Sequence, residues 1–206
     1  MLEYSLKSGW NRLTPERRAM DILRVNYKGS TAAKELARSF RETGFAIISD
    51  HPIKASLIER VYSDWKVFFE SPEKDHYRFD PKTQSGYFPF RSENAKGSPK
   101  KDLKEFYHLY PNEKLPSSLS AASVELRDSL LQLGYQLLKW LESETPEEIK
   151  SQFSIPLDQM VEGSDKNLFR IIHYPGLEGR EEVGAIRAAA HEDINIITLL
   201  PASTAM

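Results

Sequence analysis

The stretch from Arg187 to Leu200, RAAAHEDINIITLL, constrains this chain more than any other. Ile194, Ile196, Ile197, Thr198, Leu199 and Leu200 form an apolar, β-branched run with the composition of a buried strand. His191 and Asp193 stand two residues apart at its start. In extended backbone, positions i and i+2 point to the same side, with Cα atoms roughly 6.5 Å apart. An imidazole and a carboxylate converging from one strand end can share a metal ion. They are two of the three ligands that a non-haem Fe(II) facial triad needs. The bland reading makes the same pair a surface turn before a core strand, so its weight depends on the rest of the chain.

At 206 residues the chain can bury a sizeable core as one domain, at most two. Hydrophobic content of 40% and charged content of 28% mark ordinary globular material. A net charge of −2 gives no electrostatic case for nucleic acid or an anionic membrane surface. The absence of cysteine excludes a disulfide framework and any thiolate metal site. The N-terminal twenty residues lack the apolar core of a signal peptide, and no stretch approaches transmembrane length. These features imply a cytoplasmic protein with neither nucleic acid nor membrane as partner.

In chain order, a short strand is expected at Asp21 to Val25 and a helix from Thr31 with Ala33, Leu36, Ala37 and Phe40 as its apolar stripe, closed by Gly44. FAIIS (Phe45 to Ser49) reads as a short buried strand. A second helix carries Leu57, Val61, Trp65 and Phe68 on one face and stops at Ser71-Pro72. Residues 72 to 111 are irregular, apart from alternation over Glu105 to Leu109 that suggests a strand. The basic cluster Lys96, Lys100, Lys101 and Lys104 is a solvated loop or, on the sharper reading, an anion patch. A long helix from about Ser120 to Glu142 has Leu126, Leu130, Leu133, Leu137 and Leu141 on a narrow stripe, which suits a core helix on a sheet. A short helix follows at Pro146 to Phe153, then a strand at Asn167 to Tyr174 with Arg170, Ile172 and Tyr174 on one face. The fold class is α+β, with residues 1–118 as a mixed N-terminal region and residues 119–206 as the long helix plus the start of a β core.

Five segments, in this order, resemble the isopenicillin N synthase-like branch of the 2-oxoglutarate/Fe(II)-dependent dioxygenases: ETGFAIISDHPI, SGYFPFRSENAKG, DLKEFYHL, LFRIIHYPG and RAAAHEDINIITLLP. The resemblance implies an N-terminal helical region packed on a double-stranded β-helix (jelly roll). It implies an iron oxygenase that uses O2, and in most members 2-oxoglutarate, to hydroxylate, desaturate or cyclise a small organic molecule. It matches His191 and Asp193 to two iron ligands and Tyr174 to a tyrosine on the 2-oxoglutarate side of the pocket. Ile172 stands where the family often has asparagine. No residue here matches the family's distal histidine or its R-x-S arginine. The roll is therefore expected to be incomplete in this chain, and the chain by itself inactive.

Against these stand the other readings of the same residues. Tyr87, Phe88 and Phe90 line a substrate mouth or are plain packing. His173 is a hydrogen-bonded structural residue, and His51, His76 and His108 lie in loop or exposed contexts. Lys104 and Glu105 form a surface or strand-edge pair. The rival function classes are an inactive relative or fragment and a hydrolytic zinc site. The latter is the weaker, since catalytic zinc usually recruits three protein ligands and no third is spaced nearby.

Overall fold

A computed structural model describes residues 22–93, 100–177, 179, 181–189 and 195–201. The chain forms two compact units, divided between His51 and Pro52.

The first unit is a strand–helix–strand arrangement: β1 (Arg24–Asn26), α1 (Ala32–Thr43) and β2 (Ile47–Ser49), the two strands parallel with Val25 opposite Ile48. Gly44 closes α1 in the left-handed conformation at φ 80°, its N–H bonded to the Phe40 carbonyl, as the sequence suggests. The buried face is Ala32, Leu36 and Ser39, one position round from the expected stripe. Ser39 explains the shift. Its hydroxyl accepts from Leu23 N–H at 3.2 Å and donates to the Phe45 carbonyl, so one buried side chain ties the helix to the entry of both strands. The expected buried strand is a correction: Phe45 is 66% and Ile47 44% exposed. Parallel strands are normally covered on both faces, and this pair has only α1 as its own helix.

The second unit begins with α2 (Ala55–Glu70), which ends at Ser71, whose hydroxyl accepts from Glu73 N–H at the start of a 3-10 helix, Pro72–Tyr77. Strands β3 (Gly86–Phe88), β4 (Glu105–Leu109) and β5 (Phe169–His173) then form an antiparallel sheet in the order β3-β4-β5. Between β4 and β5 lie α3 (Ala122–Ser143) and the short α4 (Glu147–Lys150). β3 falls where the sequence looks irregular. Gly86 is the reason: it sits at φ 117°, and a Cβ there would stand 2.8 Å from the Arg78 carbonyl oxygen and from Phe79 Cα. Only glycine allows the strand to run that close to the 78–79 segment, where Phe79 N–H bonds the Tyr87 carbonyl.

The core is aromatic where α2 meets the sheet. Trp65 lies 5.0 Å and Phe68 5.7 Å, centroid to centroid, from the Tyr107 ring of the central strand. The leucine stripe of α3 is core as expected, with Leu126, Leu133 and Leu137 buried, but its main partner is α2 rather than the sheet. Trp65 Nε1 donates to Ser123 Oγ at 3.0 Å across that helix pair, which satisfies a buried indole N–H.

The expected strand at Ile194 to Leu200 is also corrected. Residues 195–201 form no strand, and Ile194 lies outside the described residues. Composition supplies an apolar run but not the neighbour that a ladder requires. Asn195 instead bonds Ile197 O and Thr198 Oγ1 locally, and Leu199 rests near Gly134 of α3. No helix among the described residues is long and apolar enough to cross a membrane.

Gly86→Ala is expected to cost more than the about 1–3 kcal/mol of a strained backbone alone, because the added methyl meets fixed main chain. Gly163, at φ 65° with open space around it, provides the control. Its alanine variant should lose only the conformational part, about 1–2 kcal/mol. Urea unfolding of both variants checks this, and equal losses would contradict the close approach.

Candidate active site

β4 is the central strand and all of its residues are buried, so both its faces are covered and each alternate residue belongs to a different environment. Glu105 points to the α2 side and is 3% exposed. Its carboxylate accepts from Lys74 Nζ at 2.9 Å, from His173 Nδ1 at 2.7 Å and from the Tyr87 hydroxyl. The His173 ring also stacks on Phe69 at 5.2 Å. Burial alone would raise the Glu105 carboxyl, but the bonds from His173, Tyr87 and Lys74 outweigh it and hold the group below its ordinary value. Burial, then the bond to Glu105, pushes the Tyr87 phenol well up, and burial takes Tyr107 to about 12. At neutral pH this is one carboxylate with three donors.

The reading of Lys104 and Glu105 as a surface or edge pair is therefore a correction, since the central strand buries both. A charge that alternation places beside Tyr107 and Leu109 on a packed face must bring partners with it. That was the available signal for the Lys74, Tyr87 and His173 set.

The opposite face carries Phe88, Lys104, Phe106, His108 and Arg170. Phe88 stacks on Phe106 with centroids 4.3 Å apart, and the Arg170 guanidinium lies 4.8 Å from the Phe106 centroid. Arg170 Nε donates to His108 Nε2 at 2.7 Å. His108 is 8% exposed on this strand, which corrects its placement in a loop or exposed context. Burial first, then the Arg170 charge, lower the imidazole to about 4. Lys104 Nζ pairs with Asp102 Oδ2 at 2.8 Å. Lys104 is buried and Lys100 is paired to Glu182 at 3.2 Å, so these two depart from the solvated-loop reading, whereas Lys101 is exposed. Lys96 lies outside the described residues.

Of the residues singled out in the sequence, Tyr87 and Phe88 are neighbours on β3 and fall on opposite faces. Tyr87 is sealed under α2 beside Glu105, while Phe88 joins the Phe106–Arg170 face, so the two do not share one pocket wall. Tyr174 follows β5 directly, is half-buried, and has the Arg187 guanidinium 5.6 Å from its ring centroid. His173 is hydrogen-bonded on the α2 side, on the face opposite Arg170 and Ile172. His76 is exposed. His191 and Asp193 lie outside the described residues. The segment leading to them is held to the sheet: Leu103 N–H bonds the Ile186 carbonyl at 2.9 Å, and Ala189 N–H bonds Asp102 Oδ1 at 3.2 Å. Among the described residues no group of three His, Asp or Glu is placed to hold a metal.

Residues 20–128, more than half of the chain, match the family described as non-haem dioxygenase in morphine synthesis, N-terminal. Two solved structures are similar. One, described as a "putative oxygenase" from Shewanella oneidensis, shares 44% identity over 85% of this chain and 62% of its own, with a TM-score of 0.75. The other, a "putative 2OG-Fe(II) oxygenase family protein" from Caulobacter crescentus, shares 26% identity over 84% of this chain and 61% of its own, with a TM-score of 0.61. The chain thus spans about three-fifths of the length of each. No curated protein sequence matches.

The depressed His108 pKa sets a pH dependence. The folded imidazole, at about 4, binds its proton less readily than the unfolded one at about 6.5, so the unfolded state gains protons first as pH falls. The contribution is fully present above about pH 6.5, declines between there and about pH 4, and amounts to about 3 kcal/mol in all. Urea midpoints compared at about pH 7.5 and about pH 4.5 should show this slope in the native protein and a flatter one in His108→Gln. An unchanged slope would mean that other groups carry it.

Proposed function

The chain belongs to the isopenicillin N synthase-like 2-oxoglutarate/Fe(II)-dependent dioxygenase family, and on that premise we propose that it serves a non-haem Fe(II) oxygenase. The reaction is the hydroxylation, desaturation or cyclisation of a small organic molecule by O2, with 2-oxoglutarate as cosubstrate. The fold that goes with this reading is a double-stranded β-helix, with the 187–193 segment carrying the metal pair.

The observation that carries the proposal is the tether of that segment. Asp102 accepts from Ala189 N–H, two residues before His191, and Leu103 pairs with Ile186. A metal site needs ligands delivered from rigid backbone, and these bonds tie residues 186 and 189, just before the H-x-D pair, to the residues that lead into β4. The donor set fits the metal: an imidazole and a carboxylate suit Fe(II) and leave positions open for cosubstrate and O2.

In this reading His191 and Asp193 hold the iron, and the iron when bound supplies the activation of O2. Tyr174 orients the 2-oxoglutarate, with Arg187 set against its ring. Phe88 and Phe106 keep water from the face on which substrate lies. Tyr87 serves the Glu105 cluster that holds the sheet to α2.

An anaerobic titration of Fe(II) and 2-oxoglutarate into the protein, followed through the weak visible metal-to-ligand band, tests the proposal. His191→Ala should abolish iron binding, and unchanged iron stoichiometry in that variant would sink the assignment. Tyr174→Phe should weaken 2-oxoglutarate binding by about 0.5–1.5 kcal/mol, the worth of one neutral hydrogen bond. His173→Ala should lower stability and leave cosubstrate affinity alone; the reverse pattern would show that the two faces of β5 are exchanged.

A further inference from the structure

The proposed function gives Arg170 no role, yet its guanidinium is held in place. Phe106 lies under it at 4.8 Å, His108 Nε2 takes its Nε–H at 2.7 Å, and β5 holds its backbone opposite His108. A guanidinium presents five N–H donors in a planar fork, and only one is used in this way. Among the described residues its amino groups make no hydrogen bond. The nearest carboxylate oxygen, Glu93 Oε2, stands 4.0 Å from Nη2, beyond hydrogen-bond range. The side chain remains 35% exposed.

His108 makes this different from an ordinary surface arginine. A histidine can accept from a guanidinium only when neutral, and burial beside a positive charge keeps it so. By taking the Nε–H, it leaves the Nη1–Nη2 edge of the fork as the free one. That edge matches the two oxygens of a carboxylate. Lys104 on this face is hydrogen-bonded to Asp102 at 2.8 Å, whereas Arg170 has only the looser ion-pair contact with Glu93, an oxygen it shares with Lys104 at 3.7 Å. The same face of the sheet carries apolar surfaces, the ring of Phe88 stacked on Phe106 and the side chain of Ile172, which is 41% exposed.

We infer that Arg170 recognises a carboxylate on the oxidised substrate, whose apolar or aromatic body rests on Phe88 and Ile172. The substrate class is therefore an organic acid with an apolar or aromatic body. This inference rests on the oxygenase reading for its meaning, but the binding it describes needs neither iron nor 2-oxoglutarate and is measured without them.

The probes are phenylacetate and its neutral isostere phenylacetamide, titrated into the metal-free protein and followed by ligand-observed NMR. The acid should bind at least about tenfold more tightly than the amide, the scale of a charge-assisted bidentate contact. Arg170→Gln should erase that preference while the variant still melts cooperatively, at a somewhat lower midpoint because the bond to His108 is lost. If Arg170→Gln does not fold, Arg170→Lys decides: it keeps the charge but not the fork, and it should lose most of the preference. Equal binding of acid and amide by the native protein, or a preference that survives the folded Gln variant (or the Lys variant, should Gln not fold), overturns the inference. So does displacement of phenylacetate by 2-oxoglutarate at comparable affinity, which would make this a cosubstrate site. His191→Ala separates the two proposals: the acid preference should survive in it although iron binding is lost.

Discussion

The second unit depends on one buried charge. Glu105 sits in the central strand, and an ion of this kind without partners in a low-dielectric interior costs several kcal/mol. It is tolerable only when Lys74, Tyr87 and His173 all arrive. Those three residues come from the 3-10 helix after α2, from β3 and from β5. The sheet and α2 therefore assemble together or not at all, since a half-formed cluster leaves a carboxylate with neither water nor donors. An apolar residue of similar shape could be no less stable overall, but it would not require this one arrangement of four segments.

Around that charge, β4 divides the chemistry of the unit. Residues 105, 107 and 109 face α2 and the aromatic packing of Trp65 and Phe68. Residues 104, 106 and 108 face the other way, toward Phe88 and Arg170. The first side is closed and satisfied. The second pairs an aromatic floor with a guanidinium whose amino groups are not hydrogen-bonded among the described residues. A rigid, sealed face is what allows the other face to present groups in fixed geometry, because the same strand backbone carries both.

The helices were legible in the sequence because their information is local: periodicity, the Gly44 C-cap and the Ser71-Pro72 stop fix α1, α2 and α3 to within a few residues. The alternation of β4 was legible for the same reason. What alternation cannot say is whether one face of a strand is open, and so Glu105, Lys104 and His108 were placed at a surface although the strand is central. β3 was invisible because its identity depends on the close approach of Gly86 to residues 78–79, a contact distant in sequence from any periodic signal. The helix α3 was correctly read as core, but a leucine stripe is indifferent to whether a sheet or another helix lies under it. The apolar run after Asn195 has strand composition but forms no strand over the described residues 195–201, since composition alone does not create a ladder. The proposed metal pair, His191 and Asp193, was read from spacing and ordered context, and it lies outside the described residues.

Asp102 is where the rigid sheet meets the segment that carries His191. Its two oxygens do different work: Oδ2 pairs with the buried Lys104, and Oδ1 accepts from Ala189 N–H. A buried ammonium allows its partner carboxylate little freedom, so Lys104 in effect aims the oxygen that receives the lead-in segment. The same ammonium lies 3.7 Å from Glu93 Oε2, the oxygen that Arg170 approaches at 4.0 Å. One row of alternating charges thus links Asp102, Lys104, Glu93 and Arg170, from the carboxylate that receives Ala189 N–H to the arginine proposed to hold the substrate. Its members are buried or half-buried, where attraction between neighbours is screened far less than in water. Asp102 and Arg170 are therefore held by the same electrostatic balance, the one at the lead-in segment and the other on the face proposed to take the substrate.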